Sequence, residues 1–234
     1  MGDFYYYGID SLYLYLVVPA LIITLWSQIR VKSAFSKYSA FHSSLSGADA
    51  ARRVLEANGI CNVKIERVSG NLTDHYDPRT NVIRLSDSVY GAYNLSAVGV
   101  AAHEAGHAVQ YASGYMPIKA RSVILPVCNL GSQLSLPLLV IGFIFNFHLL
   151  VKLGVIFFCA ALIFQLLTLP IEFNASRRAL TTLESAGLIN DGNEKKAVRR
   201  VLSAAAMTYV AAAAAALLNL LRLVMLSRRD DRRD

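Results

Sequence analysis

His103, Glu104 and His107 stand in the order His-Glu-Ala-Gly-His, and their types and spacing could do chemistry. On an α-helix, at 3.6 residues per turn, positions 103 and 107 project from one face a turn apart, so both imidazoles can reach one ion. Zinc takes histidine nitrogens at about 2.0–2.1 Å, and a hydrolytic site needs three protein ligands with a fourth position left for water. Polarisation by the metal makes that water hydroxide-like near neutral pH, and Glu104 can take its proton and later return it to a leaving amine. The set implies zinc-dependent hydrolysis of peptide bonds with Glu104 as general base. Two histidines and a glutamate can also be solvated surface residues. However, positions 89–102 carry no charge, so most faces of this helix are buried, and a buried His-Glu-His set without a partner would be costly. Gly106 leaves room for another backbone to approach between the ligands.

A third ligand must come from elsewhere. The strongest candidate is Glu172 in LPIEFNASRRAL, the first charge after a long apolar run. Spacing alone reads this residue equally well as a plain end-of-span charge.

The elements that position these residues follow from composition. The chain has 234 residues, 55% of them hydrophobic, and a positive mean hydropathy, which places a membrane class first. Residues 11–29, 122–151, 153–171 and 201–221 carry no Lys, Arg, Asp or Glu, and a bilayer-crossing helix needs about 20 largely apolar residues. The expected organisation is a transmembrane helix over 1–29, a catalytic domain over 30–121, and a transmembrane hairpin over 122–171. A helix over 172–200 with Glu172 as the candidate third ligand is expected to complete the catalytic domain, and 201–234 holds an Ala-rich apolar helix of open topology and a charged tail. The fold class is therefore a mainly α membrane protein, with three to four transmembrane helices and an α+β zincin-like domain.

Asp3 and Asp10 precede the first span and Arg30, Lys32 and Lys37 follow it, so the positive-inside rule sets the catalytic domain in the cytoplasm. Tyr5, Tyr6 and Tyr7 crowd the outer end as interfacial aromatics do. The net charge of +7 resides mainly beside apolar segments, which indicates membrane lipids and not nucleic acid as the partner. Cys61, Cys128 and Cys159 are too scattered for a disulfide framework or a Cys-rich zinc site.

Within 30–121, GADAARRVLEANG after Ser46 reads as a short capped helix. Val63 to Val68 and Val82 to Leu85 read as a strand pair joined by the turn-rich SGNLTDHYDPRT. Leu95 to Tyr111 reads as the helix carrying the motif, with Ser96 as its cap and Gly114 as its stop.

VAAHEAGHAVQ at 100–110, NVIRLSDSVY at 81–90, EFNASRRAL at 172–180 and AAAMTYVAAA at 204–213 together resemble the YugP-like neutral zinc metallopeptidases of bacterial membranes, over nearly the whole chain. That family is similar to the HtpX and CAAX-protease membrane zincins, in which a glutamate in an E-F-x-A-D run is the third zinc ligand. The resemblance places that ligand at Glu172 and the protein in the bacterial cell membrane as a multi-pass enzyme acting on peptide or protein substrates. Ser176 stands where those relatives have the aspartate that supports a ligating histidine, so support is expected from another group. The resemblance also assigns Asn81 to Leu85 to the edge strand that receives substrate.

An oxyanion stabiliser is expected as well, and Tyr209, His75, Arg177 and Arg178 are the available types. Two rival readings stand beside the peptidase: an intramembrane site-2-type protease, with the motif inside a span, and a non-catalytic zinc-binding scaffold. No residue pattern specifies an oligomer or a regulatory partner.

Overall fold

The computed structural model describes residues 13–189 and 192–230, and the side chains among them up to 227. Asp3, Tyr5, Tyr6, Tyr7, Asp10 and the end of the charged tail lie outside the described residues. In chain order the elements are a π-helical turn, Tyr13–Val17, then α1 Val18–Ser39, α2 Gly47–Ala57, β1 Lys64–Val68, β2 His75–Asp77, β3 Val82–Ser86, α3 Leu95–Ala112, α4 Met116–Ile144, α5 His148–Ser185 and α6 Gly192–Asp230. Two compact units result. One comprises Met1–Gln28, Ala120–Leu169 and Thr208–Asp234, and the other Ile29–Lys119 and Pro170–Met207.

The first unit is built from apolar helices. Among the described residues four helical stretches, Tyr13–Ser39, Met116–Ile144, His148–Ser185 and Gly192–Ser227, are long and apolar enough to cross a membrane. With the mixed α+β second unit they give a membrane-anchored, zincin-like architecture. Residues 145–147 alone join α4 to α5, with Asn146 at φ +50°, so the two helices form a tight hairpin. Small residues hold it together. A Cβ on Gly154 would lie 2.7 Å from the Leu139 side chain, and the Ser135 hydroxyl donates to the Gly154 carbonyl at 2.9 Å. In an apolar solvent such close contacts and interhelical hydrogen bonds replace the hydrophobic effect. α4 runs through Pro126 and Pro137 without ending.

The second unit has a conventional core. Ser46 caps α2 by accepting from the Asp49 amide. The helix then buries Ala50, Ala51, Val54 and Leu55 and stops at Asn58, with Gly59 at φ +70°. The two expected strands do pair, but in parallel: Lys64 faces Val82 and Val68 faces Ser86. Parallel neighbours cannot be joined by a hairpin turn. The turn-rich stretch instead supplies a third strand, β2, which returns antiparallel to β3 on its other side and gives the order β1-β3-β2. Asp74 anchors this excursion by accepting from the Ser86 amide and hydroxyl. Asp77 closes the β2–β3 turn by accepting from the Arg79 amide and the Thr80 hydroxyl.

Asn94, and not Ser96, caps α3. Its backbone is extended and its side chain accepts from the Ala97 amide at 2.9 Å, whereas Ser96 is fully buried and donates to the Phe35 carbonyl. Ser96 already lies inside the helix, so the cap falls to the last extended residue before it. α3 is not among the four span-length helices, and it packs in one core with Ile83, Leu85 and Val54.

Candidate metal centre

Small residues bring the ligands together. α3 buries Ala101, Ala102, Ala105 and Ala108 beside the motif, and a Cβ on Gly106 would lie 2.6 Å from the Ala175 carbonyl oxygen. At Gly106, then, the α3 and α5 backbones nearly touch, as the sequence suggested, and any larger residue would force them apart. Glu172 does not open a separate helix. The apolar run and Glu172 share the continuous α5, and the part of that helix after Pro170 presents the carboxylate to the α3 histidines.

The two imidazoles meet edge to face, with ring centroids 4.7 Å apart. Their Nε2 atoms lie 3.1 Å (His103) and 3.4 Å (His107) from the same oxygen, Oε2 of Glu172. Candidate donor atoms of all three residues fall within 4.8 Å of one another. The Glu172 side chain is 3% exposed and the histidines 14% and 12%.

The opposite ring nitrogens fix the tautomers. Gln110 is fully buried, and its amide nitrogen donates to the Ile171 carbonyl at 2.8 Å and to Asn174 Oδ1 at 3.0 Å. Its oxygen must therefore face His107 Nδ1, 3.0 Å away, and since that oxygen can only accept, Nδ1 carries a proton and Nε2 is the nitrogen left to take either a proton or a metal. His103 Nδ1 lies 3.0 Å from the Ser176 hydroxyl, which can accept in the same way. Two Nε2 atoms and a buried carboxylate converging on one point fit a zinc ion, and the partners on the far nitrogens are those that orient metal-binding imidazoles.

Charge agrees with this. Burial would lower the His107 pKa, but the hydrogen bond to Glu172 and the charges of Glu104 and Glu172 outweigh it and raise it above the ordinary value. The centre thus favours a positive charge at the place where a cation would sit.

Glu104 is 9% exposed and follows His103 directly. Its Oε2 accepts from the Tyr76 amide of β2 at 2.9 Å. Burial pushes the nearby Asp74 carboxyl up, against the hydrogen bonds from Ser86, and the negative charge of Glu104 adds to that rise.

The structure thus gathers His103, Glu104, His107 and Glu172 and scatters the other candidates. His75 is exposed on β2 with Nδ1 near the Thr73 carbonyl. Asn81, at φ +55°, donates to the Asn62 carbonyl and accepts from the Tyr76 hydroxyl. Val82–Ser86 is the central strand, paired on both sides, so the edge beside Glu104 belongs to β2. Tyr209 lies on α6 in the membrane unit. Arg178 donates to Asn174 Oδ1 and lies over the Tyr115 ring, which ties it to Gln110.

The expectation that support for a ligating histidine must come from a group other than residue 176 is corrected: the Ser176 hydroxyl lies 3.0 Å from His103 Nδ1. Gln110 and Tyr76 were not anticipated. Gln110 had a signal, since it lies three residues after His107 on the same helix face. Tyr76 acts through its backbone and had none.

A helix-borne His-Glu-x-x-His pair completed by a glutamate from a second helix defines a zinc metalloendopeptidase centre of the gluzincin kind, here on a membrane-anchored fold. Residues 13–228 match the family described as "Putative neutral zinc metallopeptidase", and the chain belongs to that family. It is 47% identical to the "Putative membrane protease YugP" of Bacillus subtilis (strain 168) over 217 residues, 92% of this chain and 96% of the relative. No solved structure matches.

Proposed function

We propose that this protein hydrolyses peptide bonds of extended substrates at the cytoplasmic face of a bacterial membrane, with His103, His107 and Glu172 holding zinc and Glu104 as general base. The observation that carries the reading is the convergence of both Nε2 atoms on Glu172 Oε2 beside a carboxylate aimed by the Tyr76 amide. When bound, zinc supplies Lewis acidity, polarising the scissile carbonyl and bringing a water's pKa down to about 7. Glu104 takes the proton of the attacking water and delivers it to the leaving amine. Tyr76 N–H keeps that carboxylate in place, Gln110 and Ser176 hold the histidine rings, and burial of Glu172 keeps water from competing for its oxygens. An extended substrate lies along β2, the edge strand beside Glu104. His75, exposed on this strand, is positioned to meet substrate.

The test is metal content and peptide cleavage measured together on wild type, Glu104→Gln, His103→Ala and Glu172→Ala. Zinc and cleavage are expected to vanish together in the two ligand variants, while Glu104→Gln keeps zinc and loses cleavage. Zinc without cleavage in the wild type would install the scaffold reading instead. The intramembrane reading is disfavoured by the place of α3 in the α+β core. Orientation has a built-in reporter, because Cys61 is exposed while Cys128 is buried. A membrane-impermeant maleimide should label Cys61 after permeabilisation and not in intact cells. Labelling of intact cells would put the catalytic unit outside.

A further inference from the structure

Away from the donor atoms, the catalytic unit holds a groove of about 310 Å³ between α5 and α6, lined by Phe173, Arg177 and Leu180 from the first and Arg199, Leu202 and Ser203 from the second. Both sets recur at helical spacing, giving an apolar floor with a guanidinium on each wall. No carboxylate lines it. Neighbouring cations are engaged: Arg178 with Asn174, and Lys195 with Glu184. Among the described residues, neither Arg177 nor Arg199 has a hydrogen-bond or ion-pair partner. Two exposed guanidiniums facing one groove suit a single anion, since each offers a planar fork to phosphate oxygens.

The position along the helices says which anion. The uncharged run of α5 ends at Ile171, and that of α6 begins at Val201. Each is about 28–32 Å long at the helical rise, close to the hydrocarbon thickness of a bilayer. The groove therefore forms on the turns where both runs end, at head-group depth, where a lipid presents a phosphate above a hydrocarbon chain. It is also separated from the reacting atoms. Ser176 lines it and meets His103 at Nδ1, whereas Glu172 meets that ring at Nε2, so the His103 ring stands between Ser176 and the carboxylate.

We propose that this groove binds one anionic phospholipid, its phosphate on Arg177 and Arg199 and an acyl chain along Phe173, Leu202 and Ala206, on the side of the uncharged runs. This goes beyond the peptidase reading and does not rest on it. The test is native mass spectrometry of the full chain, purified in detergent and titrated with phosphatidylglycerol or phosphatidylcholine. Zinc content and the thermal midpoint are followed as folding controls. Wild type should retain one phosphatidylglycerol, Arg177→Ala/Arg199→Ala should bind it roughly tenfold more weakly, and phosphatidylcholine should bind weakly to both. Ser203→Glu, which adds a carboxylate at an exposed position and leaves both arginines, should show the same loss if the double variant fails to fold. Equal retention of phosphatidylglycerol by wild type and either folded variant would overturn the assignment, as would equal retention of phosphatidylcholine by the wild type. Full displacement by equimolar inorganic phosphate, or by an acidic peptide, would overturn it in favour of that ligand.

Discussion

The two units of this chain place their side chains in opposite senses. In the membrane unit the large apolar residues point outward, with Val123 76% and Phe145 73% exposed, while small residues such as Cys128, Ser135 and Gly154 form the contacts between α4 and α5. In the catalytic unit Ile83, Leu85 and Val98 are completely buried, and of the described acidic and basic residues only Glu104 and Glu172 at the metal centre are buried with them. An apolar residue is thus stabilising on the surface of one unit and in the interior of the other, because the units face different solvents. α3 shows why composition alone does not separate them. It is as free of charge as a span until Glu104, yet its alanines pack it inside the α+β core, and their small size lets the metal ligands come close.

Glu104→Gln, isosteric and uncharged, is expected to have the largest effect, lowering kcat by about 10²–10⁴ at unchanged zinc content. Zinc loss in that variant would instead make Glu104 part of the scaffold of the site. Next come matched truncations that probe the comparison directly. Leu85→Ala should cost about 2–5 kcal/mol in the catalytic unit, whereas Val123→Ala on the outer face of α4 should stay within about 0.5 kcal/mol in detergent. Equal losses would mean that the α4 face is packed against protein. A smaller effect is expected of Gln110→Ala, which frees the His107 ring and should weaken zinc binding about 10–100-fold, with Gln110→Glu restoring most of it. Metal titration against a competing chelator reads this directly. The smallest effect concerns Asp77. Its carboxyl is held down to about 2 by hydrogen bonds from Thr80 and Arg79, with Arg84 also contributing. A depressed acid stabilises the fold above its ordinary value of 3.8 and loses that contribution as pH falls through about 2. Asp77→Asn should therefore flatten the acid limb of the thermal-midpoint profile slightly, and an unchanged limb would show that the turn does not depend on the charge.

Periodicity revealed the long helices, the motif helix and the strands over Val63 to Leu85, because each has enough residues to show its spacing. What it missed was set by single hydrogen bonds. The connection that makes β1 and β3 parallel resembles an ordinary loop in sequence, although Asp74 ties it to Ser86, and β2 has three residues, too few for alternation to be visible. At the site, the His pair was plain from four-residue spacing, while Glu172 needed the resemblance, since nothing local distinguishes a ligand from the first charge after a span. Ser176 was misjudged because a hydroxyl looks too short to replace a carboxylate, and the close approach at Gly106 is what brings it within reach.

The continuity of α5 also sets a clock. His103 and Glu172 are 69 residues apart, and at a synthesis rate of about 5–20 residues per second the first waits roughly 3–14 s for the second. During that interval the nascent chain carries two imidazoles but no third donor, and Glu172 follows directly behind the apolar run of the same helix. The donor set is therefore complete only after both apolar runs of the hairpin have been synthesised.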